Sequence, residues 1–416
     1  MSGSTDPYRH AFRFDPPVDR EIVGRVEEVK AALAPGVAAR DRAGSAPLEE
    51  AAILRRSGLA ALTVDDGQPF FRKAPDRRQA IAARWQAALF AIREISRVDL
   101  SAAALIGYNY MHLLRIEIAG RGRVFERAVA SSLERPTLWG GANNPGGPAA
   151  RLERVRDGYV ANGSKSFATA AQTADRLVVG ESCHAADGTE ERLTFVLDAA
   201  APGISHADDW DGIGARRSAS GRLLFENVFI PADAVFSTAP ADPTKRSLNE
   251  SIGSLAFQIM FVNFLTGIAF GSIDTALAYL RSRDKGGERA LPGHVAERAG
   301  QAIAEANAAF ALASVANAAF AELVADIDAG RLTPEKRGEI ADLISQAKVA
   351  SDAAALSVTS RIFEAVGARG ATLACGLDRY WRDARTYTLH DPVAVKAQEI
   401  GRFGVHLELA TPSANS

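Results

Sequence analysis

Cysteine is almost missing from this chain. Only Cys183 and Cys375 occur in 416 residues, with no CxxC pair. That excludes a disulfide scaffold and a thiolate zinc site. The seven histidines are scattered without ligand spacing, so no metal is expected. An excess of charge is missing as well: 48 basic against 50 acidic side chains leave a formal net charge of −2. Basic clusters are short and interrupted by acids, which gives no footprint for nucleic acid or an anionic membrane. The N-terminus, MSGSTDPYRH, lacks the apolar core of a signal peptide. The most apolar run, Leu255 to Phe270, is interrupted by Gln258, Asn263 and Thr266. It is too short and too polar for a membrane span and reads as a buried bundle helix. A soluble, cytoplasmic protein is expected.

What is present falls into three textures. Residues up to about Pro17 read as a loose arm, and from there to about Arg127 the pattern is helical. The segments Glu21–Leu33, Arg77–Ser96 and Leu100–Ile118 carry Ala, Leu and Ile at helical spacing, and Pro47-Leu48-Glu49-Glu50 opens a further helix. From Pro136 to about Phe236 the punctuation becomes that of antiparallel β-structure. Asp157-Gly158 and Asp187-Gly188 are hairpin signals between short runs such as Tyr159-Val160-Ala161, Arg176–Gly180, Arg192–Leu197 and Leu223–Ile230. Ser247-Leu248-Asn249-Glu250 is a capping-box signature, and long Ala-rich helices are predicted after it, at about Leu248–Arg283, His294–Ala329 and Pro334–Gly367. The fold class is α+β. It has a helical N-domain (1–130), a middle antiparallel β-domain (131–240) and a C-terminal helical bundle (241–416). Helices of that length need burial on several sides, which predicts an oligomer.

Generic motifs give little. Gly158 to Ser166 imitates a phosphate loop, but an extra residue separates Gly163 from Lys165 and a hairpin turn precedes it. Gly212-Ile213-Gly214 lacks the third glycine of a dinucleotide fingerprint, and no GxSxG elbow occurs.

The richest stretch lies near the end: Gly367-Ala368-Arg369-Gly370, then Gly376-Leu377-Asp378-Arg379-Tyr380-Trp381-Arg382-Asp383-Ala384-Arg385-Thr386-Tyr387-Thr388-Leu389-His390-Asp391-Pro392. Added to it are Gly107-Tyr108, Asn162-Gly163-Ser164-Lys165-Ser166-Phe167, Asp209-Trp210-Asp211-Gly212-Ile213-Gly214 and Gly221 to Pro231. Together these segments resemble the acyl-CoA dehydrogenase superfamily over nearly the whole chain. Within it they are most similar to two-component flavin-dependent monooxygenases of the dibenzothiophene monooxygenase type.

The departures are informative. Acyl-CoA dehydrogenases carry a catalytic glutamate after the Arg ladder, where this chain has His390-Asp391-Pro392. Asp391 followed by Pro392 reads as a helix N-cap with proline at the first helical position, a poor setting for a general base. Leu138 to Pro145 lacks the acid that dehydrogenases carry on the way into the β-domain. Relatives of the monooxygenase type have a histidine one turn before Gly-Tyr. This chain has Ala104 there, with His112 four residues after Tyr108, on the same helix face.

The resemblance implies a reduced-flavin-dependent oxygenase that passes oxygen from a flavin C4a-hydroperoxide to a sulfur, nitrogen or aromatic carbon centre of a small molecule. The cofactor would be reduced FMN, with FAD as the alternative, delivered by a separate NAD(P)H:flavin reductase to a homotetramer. His390 would be catalytic, with Tyr108 and Asn143 positioning the substrate. Phe167, Thr169, Arg281, Arg283, Ala368, Arg369 and Gly370 would hold the cofactor. Two rival readings remain: an FAD-dependent acyl-CoA dehydrogenase using Asp391 as its base, and a non-catalytic helical oligomer of the same fold.

Overall fold

The structure, a computed structural model, describes residues 17–120, 122–144, 149–184, 188–283 and 291–412. The N-terminal arm, Asp187 of the second hairpin signal and Pro145 lie outside these residues.

Seven helices open the chain: α1 (Arg20–Leu33), α2 (Val37–Ala43), α3 (Leu48–Arg56), α4 (Pro69–Lys73), α5 (Arg77–Ser96), α6 (Leu100–Ile118) and α7 (Arg123–Glu134). The side chains of Asp76 and Asp99 cap α5 and α6 by accepting from the amides of Gln79 and Ala102. The short helices α2 and α4 have too few residues to display a period.

Eight strands follow: β1 (Trp139–Ala142), β2 (Ala150–Val155), β3 (Gly158–Lys165), β4 (Arg176–His184), β5 (Glu190–Asp198), β6 (Ile204–His206), β7 (Leu223–Pro231) and β8 (Val235–Pro240). They form two four-stranded sheets, ordered β1-β4-β5-β8 and β2-β3-β7-β6. Every pair is antiparallel except β1 and β4, which run parallel. That exception arises because β1 enters from the helical domain and the chain leaves the sheet for β2 and β3 before returning. The buried faces meet in a separate small core around Leu177, Val179, Phe195, Leu223 and Ile230.

The last part is helical: α8 (Ile252–Arg283), α9 (Gly293–Asp328), α10 (Pro334–Val366), α11 (Asp378–Tyr387) and α12 (Val393–His406). The predicted capping box forms reciprocally between Ser247 and Glu250, but it closes a turn that leads into α8 rather than being its first turn. The apolar run of α8 belongs to a 32-residue helix, long enough to cross a membrane, as is the 36-residue α9. Length therefore does not separate them from membrane spans. Burial is what marks α8 as a core helix: 89% of its most apolar window is packed inside the protein, against 61% for that of α9. It packs against α5, α6, α9, α10 and α11, so N-terminal and C-terminal helices share one continuous hydrophobic core. On α12 the expected apolar face of Val393, Ala397 and Ile400 is only partly covered, and the residue it buries is Lys396, paired with Glu399 at 3.1 Å.

Two sets of bonds bring the three parts to one corner. Asn109 of α6 donates to the Ala60 carbonyl and accepts from the Trp139 amide, fastening β1 to the helical domain. The loop 209–221 of the β-domain is tied to α11, where Gly214 and Ala215 donate to Thr386 and Asp383. A side chain on Gly214 would come within 2.1 Å of the Arg382 carbonyl, so only glycine permits this approach. The same loop is held to the N-domain by Arg217, whose guanidinium pairs with the fully buried Glu50 at 2.7 Å.

Candidate active site

At that corner α6, α8, β1 and the α11–α12 turn converge. His390 lies over Phe261 of α8, ring centroids 4.1 Å apart. Its Nδ1 is 3.0 Å from Asp391 Oδ2, and the Gln258 amide donates to the same oxygen at 2.7 Å. Burial opposes the Asp391 charge. The hydrogen bond and charge of His390, the Gln258 amide and the Lys348 ammonium outweigh it and hold the carboxyl below its ordinary value. An ionised Asp391 can only accept, so Nδ1 carries the proton and Nε2 is left as the acceptor.

Asp391 is therefore not the helix cap expected from the sequence. Pro392 is extended (φ −61°, ψ 110°), α12 starts one residue later, and no side chain caps it. The carboxylate turns inward and orients the imidazole. Its two donors also make it a poor base for a carbon-bound proton, so the conclusion about the dehydrogenase reaction stands for a different reason.

Tyr108 is buried nearby, in edge contact with Phe257 at 5.5 Å, with Thr169 close to its phenol. Burial, together with the charge of Asp391, pushes its pKa up, so it serves as a neutral hydroxyl. Thr169 continues a hydroxyl chain, 2.9 Å to Ser220 and 2.6 Å on to Ser218. Tyr387 closes the floor against Phe261 and Phe264 at 5.1 and 5.3 Å. Asn143, just past β1, donates to the Val178 carbonyl at 2.9 Å and leaves its own Oδ1 unpartnered.

His112 completes the wall. It lies one turn beyond Tyr108, ring centroids 6.0 Å apart and 6.0 Å from Phe257. Both its ring nitrogens lack a partner among the described residues. Burial, reinforced by Arg115, pulls its pKa down to about 3. It occupies space that Gly141 leaves open: a Cβ there would stand 2.7 Å from Nε2 and 2.3 Å from the Val178 carbonyl. The Gln258 Oε1 is also buried and unpartnered. His112, Asn143 and Gln258 thus present polar atoms with nothing to bind, which is what a polar ligand edge requires.

These residues fit a flavin. A planar tricyclic ring needs flat apolar walls and polar groups at its heteroatom edge. The rim supplies Phe167, 58% exposed, with Trp210 at 6.1 Å, and Thr169 with its hydroxyl chain follows two residues on. Phe167 is held at a φ of 55°, a conformation that bulky residues rarely adopt.

The structure brings His390, Tyr108 and Thr169 together, with Asn143 and Phe167 at the margins. It does not bring Arg281 and Arg283 there. They are exposed at the far end of α8, about 36 Å along the helix from Phe257 at 1.5 Å per residue. Ala368, Arg369 and Gly370 lie at the opposite end of α11 from His390, and Gly367 caps α10 at a φ of 77°. Sequence reasoning missed Gln258, Phe257, Phe261 and Tyr387. Gln258 did leave a signal, as a polar residue inside an apolar run.

Residues 259–394 match the family described as acyl-CoA dehydrogenase, C-terminal domain. The chain is 33% identical over 401 residues to a dibenzothiophene monooxygenase of Mycolicibacterium goodii, covering 91% of this chain and 92% of that one. The chain belongs to this family. It is a flavin-dependent monooxygenase with the acyl-CoA dehydrogenase fold. It is also 27% identical over 400 residues to the probable FMNH2-dependent monooxygenase SfnC of Pseudomonas putida, covering 95% of this chain and 97% of that one. The structure of TdsC from Paenibacillus sp. A11-2 with FMN and indole superposes with a TM-score of 0.85 at 27% identity, covering 96% of this chain and all of that one.

Proposed function

We propose that this flavin monooxygenase uses reduced FMN and dioxygen to oxygenate a small molecule at sulfur, nitrogen or an electron-rich aromatic carbon, and that His390 is its catalytic residue. The observation that carries the reading is the His390–Asp391–Gln258 arrangement over Phe261. The relatives act on dibenzothiophene or bind FMN and indole, and an aromatic-walled cavity of this kind suits such substrates.

When bound, reduced FMN supplies the reducing equivalents that activate dioxygen. Phe167, Trp210 and Thr169 would hold its ring. Asp391 fixes the His390 tautomer, so that Nε2 can accept a proton from the substrate or hydrogen-bond the oxygen being transferred. Tyr108 donates a hydrogen bond from a phenol that stays protonated. The rings of Phe257, Phe261 and Tyr387 exclude water from the reacting atoms. Arg281, Arg283 and the Ala368–Gly370 corner, which the family resemblance assigns to the cofactor, would reach it only from a second copy of the chain, in keeping with the homotetramer that the resemblance implies. The absence of a nicotinamide fingerprint in the sequence supports a separate reductase.

The test is oxygenation of a thioether with reduced FMN by wild type and His390→Ala. The variant is expected to keep FMN affinity within a few-fold and to lose about a hundredfold or more in turnover. Unchanged turnover contradicts the assignment.

A further inference from the structure

Asn143 and Phe257 also line a chamber of about 640 Å³, and three arginines share it: Arg115, Arg192 and Arg246. The same three line a recess of about 50 Å³ beside it. They come from separate elements, the last turn of α6, strand β5 and the turn before α8. None forms an ion pair among the described residues. Arg192 donates to the carbonyls of Asn143 and Gly180 at 2.7 and 3.3 Å, and Arg246 to those of Pro240 and Ala241 at 3.4 and 3.3 Å. The Arg115 guanidinium donates to nothing among the described residues. Its side chain runs past Gly253, where an added Cβ would lie 3.9 and 4.0 Å from its Cγ and Nε.

Three carboxylates line the chamber as well, Glu190, Asp242 and Glu250, and the charges of the last two favour the ionised Arg246. Glu250 accepts from Ser237 and Ser247, Asp242 from Thr244, and Glu181 is buried against Lys165 at 2.9 Å. Three guanidiniums share this partly buried space, and Arg115 is the one that feels the other two with no carboxylate to offset them. Burial, then Arg192 and Arg246, bring the Arg115 pKa down to about 9. Arg192 and Arg246 are lowered by burial too, and Arg246 adds to the lowering of Arg192. Gathering unpaired like charges away from bulk water costs free energy that an anion in the chamber recovers. Arg192 also ties β5 to the end of β1, but Arg115 has no such structural bond.

We propose that this chamber binds an anionic group of the substrate, a carboxylate, sulfinate, sulfonate or phosphate, and so orients its oxidisable end toward His390. The spacing allows it. Phe257 lines the chamber and Phe261, which carries His390, is one turn on, about 6 Å along α8. The word substrate rests on the oxygenase reading; the anion site does not. The rival source of the same chemistry is the FMN phosphate.

The experiment compares two thioethers of equal shape, 4-(methylthio)benzoate and 4-(methylthio)toluene, and separately FMN and riboflavin. Binding is measured calorimetrically on wild type, Arg115→Gln and Arg246→Gln, alongside turnover with reduced FMN. Wild type is expected to prefer the carboxylate. Each glutamine variant should weaken it about tenfold or more while leaving the toluene and both flavins unchanged. Arg115→Lys, which keeps the charge, should retain part of the preference, and with Arg246→Gln it carries the comparison should Arg115→Gln fail to fold. A wild type that binds both thioethers equally or neither overturns the proposal, as do variants that keep the preference. Variants that lose FMN but not riboflavin affinity also overturn it, because the anion is then the flavin phosphate. Carboxylate preference without oxygenation of either thioether upholds the anion site and contradicts the oxygenase reading instead.

Discussion

His390 and His112 stand against aromatic rings of the same helix, α8, yet they are built in opposite ways. His390 is 41% exposed at its side chain, paired with Asp391 and so fixed in tautomer and direction. His112 is buried, carries no hydrogen bond among the described residues and is held away from protonation. The difference separates two kinds of histidine in one cavity. A partnered imidazole at the edge of solvent can move a proton, whereas an orphaned one in an apolar wall can only offer a polar atom to a ligand.

The largest effect is expected where the wall has no spare room. Gly141→Ala puts a methyl group 2.3 Å from the Val178 carbonyl and 2.7 Å from His112 Nε2. It should lower stability by about 3 kcal/mol in denaturant unfolding, at the upper end for overpacking, and displace His112. Next comes the partnered histidine. His390→Ala should cost about a hundredfold in turnover, and His112→Leu far less. Equal losses would erase the distinction. Asp391→Asn keeps shape and removes charge, and is expected to cost about tenfold in turnover with the Gln258 contact retained. Because the Asp391 carboxyl lies below its ordinary value, its share of activity and stability is present above the unfolded carboxyl pKa. That share is lost only as pH falls through the lower folded value.

The smallest effect is at His112. His112→Leu is expected to change stability at neutral pH by about 1 kcal/mol or less, in the stabilising direction. The sign of its pH dependence is specific. The unfolded histidine binds a proton below its ordinary value while the folded one stays neutral down to about 3. Wild type therefore weakens relative to the variant as pH falls from about 6.5 toward 3, by at most about 1.4 kcal/mol per unit. Parallel stability curves for the two proteins would place a partner on His112.

Much of the fold is legible in the sequence, because α5 and α6 show helical periodicity from Asp cap to last turn and the hairpin residues punctuate the sheets. The short helices α2 and α4 are not, and neither is the parallel β1–β4 pair, which depends on where the chain returns rather than on local pattern. Of the site, His390 and Tyr108 are readable because the resemblance reaches their motifs. The role of Asp391 is not. Capping preference is local, whereas its true donors are a neighbouring side chain and Gln258, 133 residues away in sequence. The arginine chamber is equally hidden. Arg115, Arg192 and Arg246 look like ordinary solvated cations until the fold gathers them and leaves Arg115 without a hydrogen-bonding partner among the described residues.

The central claim is oxygen transfer rather than hydride removal. It is tested most directly by supplying reduced FMN and isotopically labelled dioxygen with a thioether and analysing the product by mass spectrometry. One labelled oxygen atom is expected in the product and none from water. An unlabelled product, with bound flavin bleached instead by an acyl-CoA thioester, would contradict it.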